Sequence, residues 1–183
     1  MANRHLMMLR LLFVKSPMKR TKIMKNAGVF KSCGDRVMIT SRKIPLYSRL
    51  IKIGNNVWIA SGVEFITHDV VHFMLNGLNK SKKYIEKIGC IDIGNNVFIG
   101  AGVKVLYDVK IGDNVVIAAG AIVTKDIPSN SVYGGVPARK IGDFEELIKN
   151  REEFTLDNLP DNSKQKLSLD CENEIWEKFN KKH

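Results

Sequence analysis

Between Ile93 and Pro128 an apolar residue recurs every sixth position, and most of the residues between are small or polar. Cut at that spacing, the chain reads IGNNVF, IGAGVK, VLYDVK, IGDNVV, IAAGAI and VTKDIP without a gap. Each block opens on Ile or Val. Its fifth position is again small or β-branched: Val97, Val103, Val109, Val115, Ala121 and Ile127. Such a period fits neither the 3.6 of a helix nor the long alternation of an extended strand. It predicts a short strand, a corner, then another short strand. Gly, Asn and Asp tolerate the left-handed backbone that tight corners need, and Val and Ile suit the pleated stretches. Three blocks make one triangular coil, and coils stack at about 4.8 Å. The predicted fold class is an all-β core, a parallel β-helix with its anchor residues in inward columns.

The same frame occurs earlier, as IGNNVW from Ile53 and IASGVE from Ile59, with Phe65 opening a third block and a looser start at Cys33 to Met38. From Asp69 the period is lost. That stretch holds Asn76-Gly77, Asn79 and Lys80-Ser81-Lys82-Lys83, and it reads as a loop ejected from the coil over 69–90. A long insertion without repeat structure is commonly functional. Residues 1–28 read as a basic segment of one or two helices punctuated by Pro17. Residues 29–142 hold the β-helix. Residues 143–183 read as helical, with a break around Leu159-Pro160-Asp161-Asn162. Helices at both ends are expected to cover the open strand edges of the prism.

Composition narrows the class. A chain of 183 residues supports one compact domain with a sizeable core. No stretch approaches the roughly 20 apolar residues of a membrane span, and Leu6 to Val14, broken by Arg10, reads as neither signal peptide nor anchor. Cys33, Cys90 and Cys171 are odd in number and far apart, which argues against a disulfide framework or a zinc site and for reduced thiols in a cytoplasm. The net charge is +10. Before Asp35 the charged residues are all basic: Arg4, Arg10, Lys15, Lys19, Arg20, Lys22, Lys25 and Lys31. This segment reads as a solvated amphipathic face rather than a nucleic-acid site.

The repeat blocks, followed by Val123-Thr124-Lys125-Asp126-Ile127-Pro128 and Gly134-Gly135-Val136-Pro137-Ala138-Arg139, resemble the hexapeptide-repeat acetyltransferases. Within that family the resemblance is nearest to the galactoside/maltose, xenobiotic and surface-polysaccharide O-acetyltransferases, and it covers residues 30 to 142. It implies left-handed coiling, rare among parallel crossovers. It also implies acetyl-CoA as co-substrate, no metal, and a homotrimer with active sites between neighbouring prisms.

Acetyl transfer from a thioester to a hydroxyl needs a base, donors facing the developing oxyanion, and a cradle for the CoA. His68 stands where the regular coil ends and the loop begins, the place of the family's general base, and an imidazole can accept a proton near neutrality. For the oxyanion the resemblance points to the backbone N–H of Ala101. Relatives often have serine there, but a backbone donor survives the change to alanine. Phe98 stands where relatives often carry tryptophan and is expected against the pantetheine arm. Ala118, Ala119 and Gly120 offer a small-residue face for that arm. Thr124, Lys125 and Arg139 match positions that bind the adenosine end, where basic groups suit phosphate oxygens. On the acceptor side the candidates are Thr40, His72 and Glu86, the last as a carboxylate that could fold back to orient His68. Asp69, adjacent to His68, is expected on the opposite face of an extended backbone.

The reading is an acetyl-CoA-dependent O-acetyltransferase acting on a carbohydrate hydroxyl. Three alternatives stay open: a xenobiotic O-acetyltransferase, a sugar N-acetyltransferase, and a non-catalytic β-helix assembly module. The asparagine that galactoside/maltose enzymes carry in the coil before the base has no counterpart in Ile39-Thr40-Ser41-Arg42-Lys43. A free galactoside or maltose is therefore not implied.

Overall fold

The computed structural model describes residues 4–78, 81–161 and 166–183. Asn79, Lys80 and Asn162, which the loop and the C-terminal break were read to include, lie outside them, as do the first three residues. The chain forms two compact units, residues 1–145 and 146–183.

The first unit is a left-handed parallel β-helix with three faces. The first face stacks Ser32–Cys33, Ile51–Ile53, Ile91–Ile93 and Val109–Ile111. The second stacks Met38–Ile39, Val57–Ile59, Val97–Ile99, Val115–Ile117 and Ser131–Gly134, and the third stacks Glu64–Ile66, Lys104–Leu106 and Ile122–Val123. Ile93 pairs with Ile111 and Val97 with Val115, the 18-residue register of three blocks. Ile51 pairs with Ile91, 40 residues on, which leaves 40 − 18 = 22 residues outside the coil.

Each letter of the repeat has a distinct physical job. Every anchor named above between Ile93 and Ile127 is buried, as are Ile53, Val57, Ile59 and Val63. The Gly after the anchor sits where a coil crosses its neighbour: a Cβ on Gly54 would collide with the Gly94 carbonyl, and one on Gly94 with Asp113. The next residue ties coils together, with Asn55 N–H donating to Asn95 Oδ1 at 2.9 Å and Asp113 N–H to Ser129 Oγ at 2.9 Å. The fourth takes the left-handed corner: Asn56, Asn96, Asn114 and Asn130 have φ of 54°, 54°, 55° and 59°. Their amides form a ladder, each Nδ2 donating to the next Oδ1 at 2.9, 2.9 and 2.8 Å. Asn accepts this backbone at modest cost, and the ladder satisfies its side chain.

Two helices, α1 (Arg4–Leu12) and α2 (Pro17–Asn26), belong to the same unit, and Met7, Leu11 and Met24 join its core. Pro17 does not merely interrupt. It opens α2 at the first turn, where a missing N–H costs nothing, behind the N-cap Ser16. Helix α2 covers the strand edge of the first coil. Ile39 N–H donates to Thr21 Oγ1 at 2.8 Å, and Lys25 Nζ donates to Gly34 O at 2.9 Å. The expectation of a wholly solvated basic segment fails at Arg20, which is buried; its guanidinium donates to Val14 O, Lys15 O and Thr40 O at 2.8, 2.7 and 2.8 Å. Burial, with Arg42 nearby, depresses its pKa. At the far end of the second face the cover is a strand rather than a helix: Arg139–Asp143 pairs antiparallel with Ser131–Gly134.

The ejected segment has structure of its own. It contains α3 (Val71–Asn76), and His68–Asp69 pairs antiparallel with Lys87–Ile88 at its neck. The Asn76 side chain brackets Tyr84, donating to its carbonyl at 2.9 Å and accepting from its N–H at 2.8 Å.

After α4 (Phe144–Glu152), the second unit holds α5 (Leu169–Lys182), with Ser168 as N-cap and Cys171 buried. Among the described residues of this segment, helix is confined to these two stretches rather than running through with a short break. Glu174 gathers the unit, accepting from Lys178 at 2.8 Å and from the N–H groups of Asn158 and Asp157 at 2.9 Å. These bonds hold its carboxyl down at about 2. Among the described residues no helix is long and apolar enough to cross a membrane, and no cluster of three His, Cys, Asp or Glu could hold a metal.

Candidate active site

The candidate residues fall on two edges of one prism. Where the third face turns back to the first lie His68, Glu86 and the α3 loop. Thr124 and Lys125 share this edge one coil beyond Leu106 and Tyr107, since Val105 pairs with Val123. Where the second face turns into the third lie Thr40, Ala101 and the run Ala118-Ala119-Gly120, with Phe98 on the outer side of the second face.

On the first edge the neck of the loop is locked. Thr67 is buried and donates through Oγ1 to Leu46 O at 2.7 Å, while Gly89 N–H donates to Thr67 O at 2.9 Å. His68 follows, half-buried, with Nδ1 enclosed and unpartnered among the described residues. Its ring receives the ring of Tyr47 edge-on, with centroids 5.3 Å apart and planes at 85°. Tyr47 stands at a left-handed backbone position, φ 53°, which a non-glycine residue holds only when its surroundings impose it. Its hydroxyl donates to Glu86 Oε2 at 2.9 Å, and that bond pushes the Tyr47 pKa up. Glu86 folds back, but to Tyr47 rather than to the imidazole it was considered for.

Asp69 turns to the opposite side of the ribbon from His68. It accepts from Tyr107 at 2.7 Å and from Val71 N–H at 3.1 Å, and these two bonds, Tyr107 first, hold its carboxyl below the usual carboxylate range. The same bond raises Tyr107. Lys87 pairs with Asp108 at 2.8 Å and lies 5.7 Å from the Tyr107 ring centroid, so the ribbon is tied to the coil beneath it. The pair raises Lys87 and lowers Asp108. His72 sits on α3 with Nδ1 enclosed and its ring 4.1 Å from that of Phe73. Around it the loop exposes Val70, Val71, Phe73, Met74 and Ile85.

On the second edge the repeat produces a row of free donors. Gly100 N–H donates to Ile117 O, Gly102 N–H to Ser61 O and Gly120 N–H to Ala101 O, at 2.8, 2.9 and 2.8 Å. The N–H groups of Ala101 and Ala119, between those bonds, have no acceptor among the described residues. Both residues are exposed, as are Thr124, Lys125 and Arg139. Phe98, 45% exposed, stands between Trp58 and Val116 in the outward column of the second face. Arg139 donates to Ala138 O at 2.9 Å and keeps an exposed guanidinium. Thr40 is at the first-coil end of this edge, its N–H and carbonyl committed to Ile59 O and Arg20.

Within one chain His68 and Ala101 do not meet. A whole third-face strand separates their edges, a span of roughly 15–20 Å at 3.3 Å per residue. Sequence reasoning missed Tyr47, Tyr107 and the placement of Arg4; a tyrosine in a left-handed turn has no signature in the letters, and Asp69, the partner of Tyr107, lies 38 residues away along the chain.

Comparison with known proteins fits this architecture. The model of the bacterial transferase hexapeptide, six repeats, matches residues 91–125. Protein CapG of Staphylococcus aureus is 50% identical over 98 residues, 52% of this chain and 54% of CapG. The chain thus spans about half the length of that curated relative. A galactoside acetyltransferase solved in complex with coenzyme A superposes with a TM-score of 0.60 at 28% identity, over 84% of each chain. A maltose O-acetyltransferase from Clostridium difficile 630 does so with a TM-score of 0.53 at 29% identity, over 76% of this chain and 85% of that one. The matched repeat and the shared coil make the chain similar, in its β-helix, to these hexapeptide-repeat acetyltransferases.

Proposed function

We propose that the protein transfers an acetyl group from acetyl-CoA to a hydroxyl of a carbohydrate acceptor, with His68 as general base. The observation that carries this reading is the division of the chemistry between two edges: a histidine at a loop mouth on one, a row of unclaimed backbone donors on the other. Brought corner to corner, two prisms complete a site that neither holds alone. A homotrimer joins every pair of edges in this way. Unpaired Cys33, Cys90 and Cys171 fit a cytoplasmic setting.

In that groove the acceptor hydroxyl loses its proton to His68 as its oxygen attacks the thioester carbonyl. The enclosed Nδ1 leaves Nε2 as the nitrogen that can reach substrate. The Ala101 N–H faces the oxygen that becomes negative, fixed in place by the coil before reaction begins. When the carbon–sulfur bond breaks, the imidazolium returns its proton to the departing thiolate, so protons balance. The flat run Ala118-Ala119-Gly120 lets a slender pantetheine lie against backbone, with Phe98 as an apolar wall. Exposed Thr124, Lys125 and Arg139 supply a hydroxyl and cations for the adenosine-end phosphates.

The test uses the full chain, acetyl-CoA and a panel of saccharides, xenobiotic alcohols and sugar amines, with thiol release and product mass as readouts. His68→Ala is expected to lower kcat at least 100-fold, in line with loss of a general base, while CoA binding persists. Thiol release unchanged in that variant rejects the base. A fully active monomer in sedimentation rejects the shared groove.

A further inference from the structure

The first coil is irregular between Thr40 and Arg49, with no third-face strand there, and two cavities open beside this segment. One, of about 510 Å³, is lined by Arg4, Met7, Val29, Ile44, Tyr47 and Ile88 among others. The second, of about 430 Å³, is lined by Phe30, Ile39, Ile59 and Phe65, and again by Arg4. The larger cavity adjoins the candidate base. Its wall residue Tyr47 packs edge-on against His68, and Ile88 is the strand partner of His68 across the loop neck.

The charge on its wall is one-sided. Arg4 and Arg49 line it, and no acidic residue does. Arg49 is already engaged, donating to Phe30 O at 2.7 Å and to Gly28 O at 3.2 Å. Arg4 is not. Its Nε is enclosed without a hydrogen-bond partner, and no carboxylate pairs with its guanidinium among the described residues. A guanidinium cannot shed its charge. Arg4 is half-buried, and its Nε is the atom cut off from water; leaving that donor unsatisfied is unfavourable unless something else supplies an acceptor. A ligand carboxylate or phosphate has the oxygen geometry to take the fork, and a cavity of this size holds a saccharide unit. The apolar wall of Met7, Val29 and Ile44 suits the C–H face of a sugar ring.

We propose that this cavity is an anion subsite for the acceptor: the acceptor is an acidic sugar, carrying a carboxylate or a phosphate that seats on Arg4 and turns a hydroxyl toward His68. The inference rests on His68 being the base.

The test measures binding of D-glucuronate, glucose 1-phosphate and neutral methyl α-D-glucoside to the full chain by calorimetry and saturation-transfer NMR, with acetyl transfer to each followed in parallel. One anionic probe is expected to bind about 10- to 100-fold more tightly than the neutral one, the size of a charge-assisted hydrogen-bonded contact. Which of the two it is separates the carboxylate source from the phosphate source. Arg4→Gln is expected to erase the preference and Arg4→Lys to restore part of it. Equal binding of all three probes overturns the proposal, as does a preference that survives in Arg4→Gln with an unchanged melting temperature. Should Arg4→Gln fail to fold, the wild-type chain still decides. Methyl contacts from Met7 and Ile44 to the bound anionic probe are expected, and contacts confined to other methyls overturn the subsite. Arg4-dependent anion binding without acetyl transfer supports the subsite and sinks the transferase reading. His68-dependent transfer without anion selectivity does the reverse.

Discussion

The ring of Tyr47 meets the ring of His68 edge to face at 5.3 Å, and the same tyrosine donates its hydroxyl to Glu86 across the neck of the loop. Three segments far apart in sequence therefore set one imidazole. Aromatic contacts of this kind contribute about 0.5–1.5 kcal/mol beyond burial, enough to bias a ring with two accessible orientations. Tyr47→Ala is expected to lower kcat about 10-fold while leaving KM for acetyl-CoA close to wild type. Tyr47→Phe keeps the ring and loses the bond to Glu86, so a smaller loss is expected. Because Tyr47→Phe and Glu86→Ala break the same bond, their double variant should be no worse than either alone. Additive losses count against the relay.

The glycines of the repeat divide into two kinds, and stability measurements can tell them apart. A Cβ on Gly54 would collide with the backbone carbonyl of Gly94 in the next coil, and neither coil can yield without breaking its ladder. Gly102 has φ 71° but nothing within 4 Å of its would-be Cβ. Gly54→Ala is expected to cost about 3 kcal/mol, as overpacking does, and Gly102→Ala about 1–2 kcal/mol, the strain of a left-handed alanine. Chemical denaturation of the two variants measures the difference. Equal losses contradict the division.

Much of this was legible in the letters. Period, register and inward columns follow from Ile and Val at fixed spacing, and the corners from Gly and Asn, because each repeat position feels only its equivalents one coil away. The ejected segment was visible as a broken period. Its contents were not. Helix α3 is six residues with no capping side chain, and the neck pairing of His68 with Ile88 depends on where the coil resumes. The candidate edges were named residue by residue, but only geometry separates them. Ala101 and His68 are one corner apart on the triangle, and nothing in linear spacing says that a single prism leaves them unjoined. The N-terminal cations looked alike on paper. In the fold Arg20 is buried under three carbonyls, Arg4 lines a cavity, and Lys25 bonds Asp35 at 2.7 Å.

Arg20 tests how far the N-terminal helices are part of the prism. Its guanidinium joins the turn after α1 to the first coil through Val14 O, Lys15 O and Thr40 O. Arg20→Ala strands three carbonyls and opens a void. The expected loss is about 3–5 kcal/mol, comparable to removing one member of a buried polar set. Arg20→Lys offers one compact donor group in place of the fork, so it should recover only part. Hydrogen exchange should show the loss at Ile39, whose N–H is held by Thr21 on the same helix. If Arg20→Ala unfolds at the wild-type denaturant midpoint, the helices are appendages.

The bond from Tyr107 to Asp69 makes the loop neck sensitive to acid. Ordered, Asp69 has a carboxyl held below its ordinary value of 3.8, chiefly by Tyr107 and then by Val71 N–H. A depressed carboxyl contributes stability that is complete above the ordinary value and lost as pH falls through the lower, ordered-state value. Asp108, lowered by Lys87, adds to the same acid limb. Lys87, raised by Asp108, contributes fully below its ordinary value of 10.5 and loses its part only at alkaline pH. His72 and then His68 also favour the ionised form of Asp69, as smaller contributors. Below about pH 4 the ribbon should therefore open before the coil does. Amide exchange at Val71 and Gly89 should accelerate there, while exchange at Val97 and Val115 stays slow. Asp69→Asn keeps one acceptor oxygen where Val71 N–H and Tyr107 each use their own, and it cannot ionise, so its exchange at Val71 should be faster at neutral pH and lose most of the acid dependence. An acid limb that persists unchanged in Asp69→Asn assigns the opening to another group.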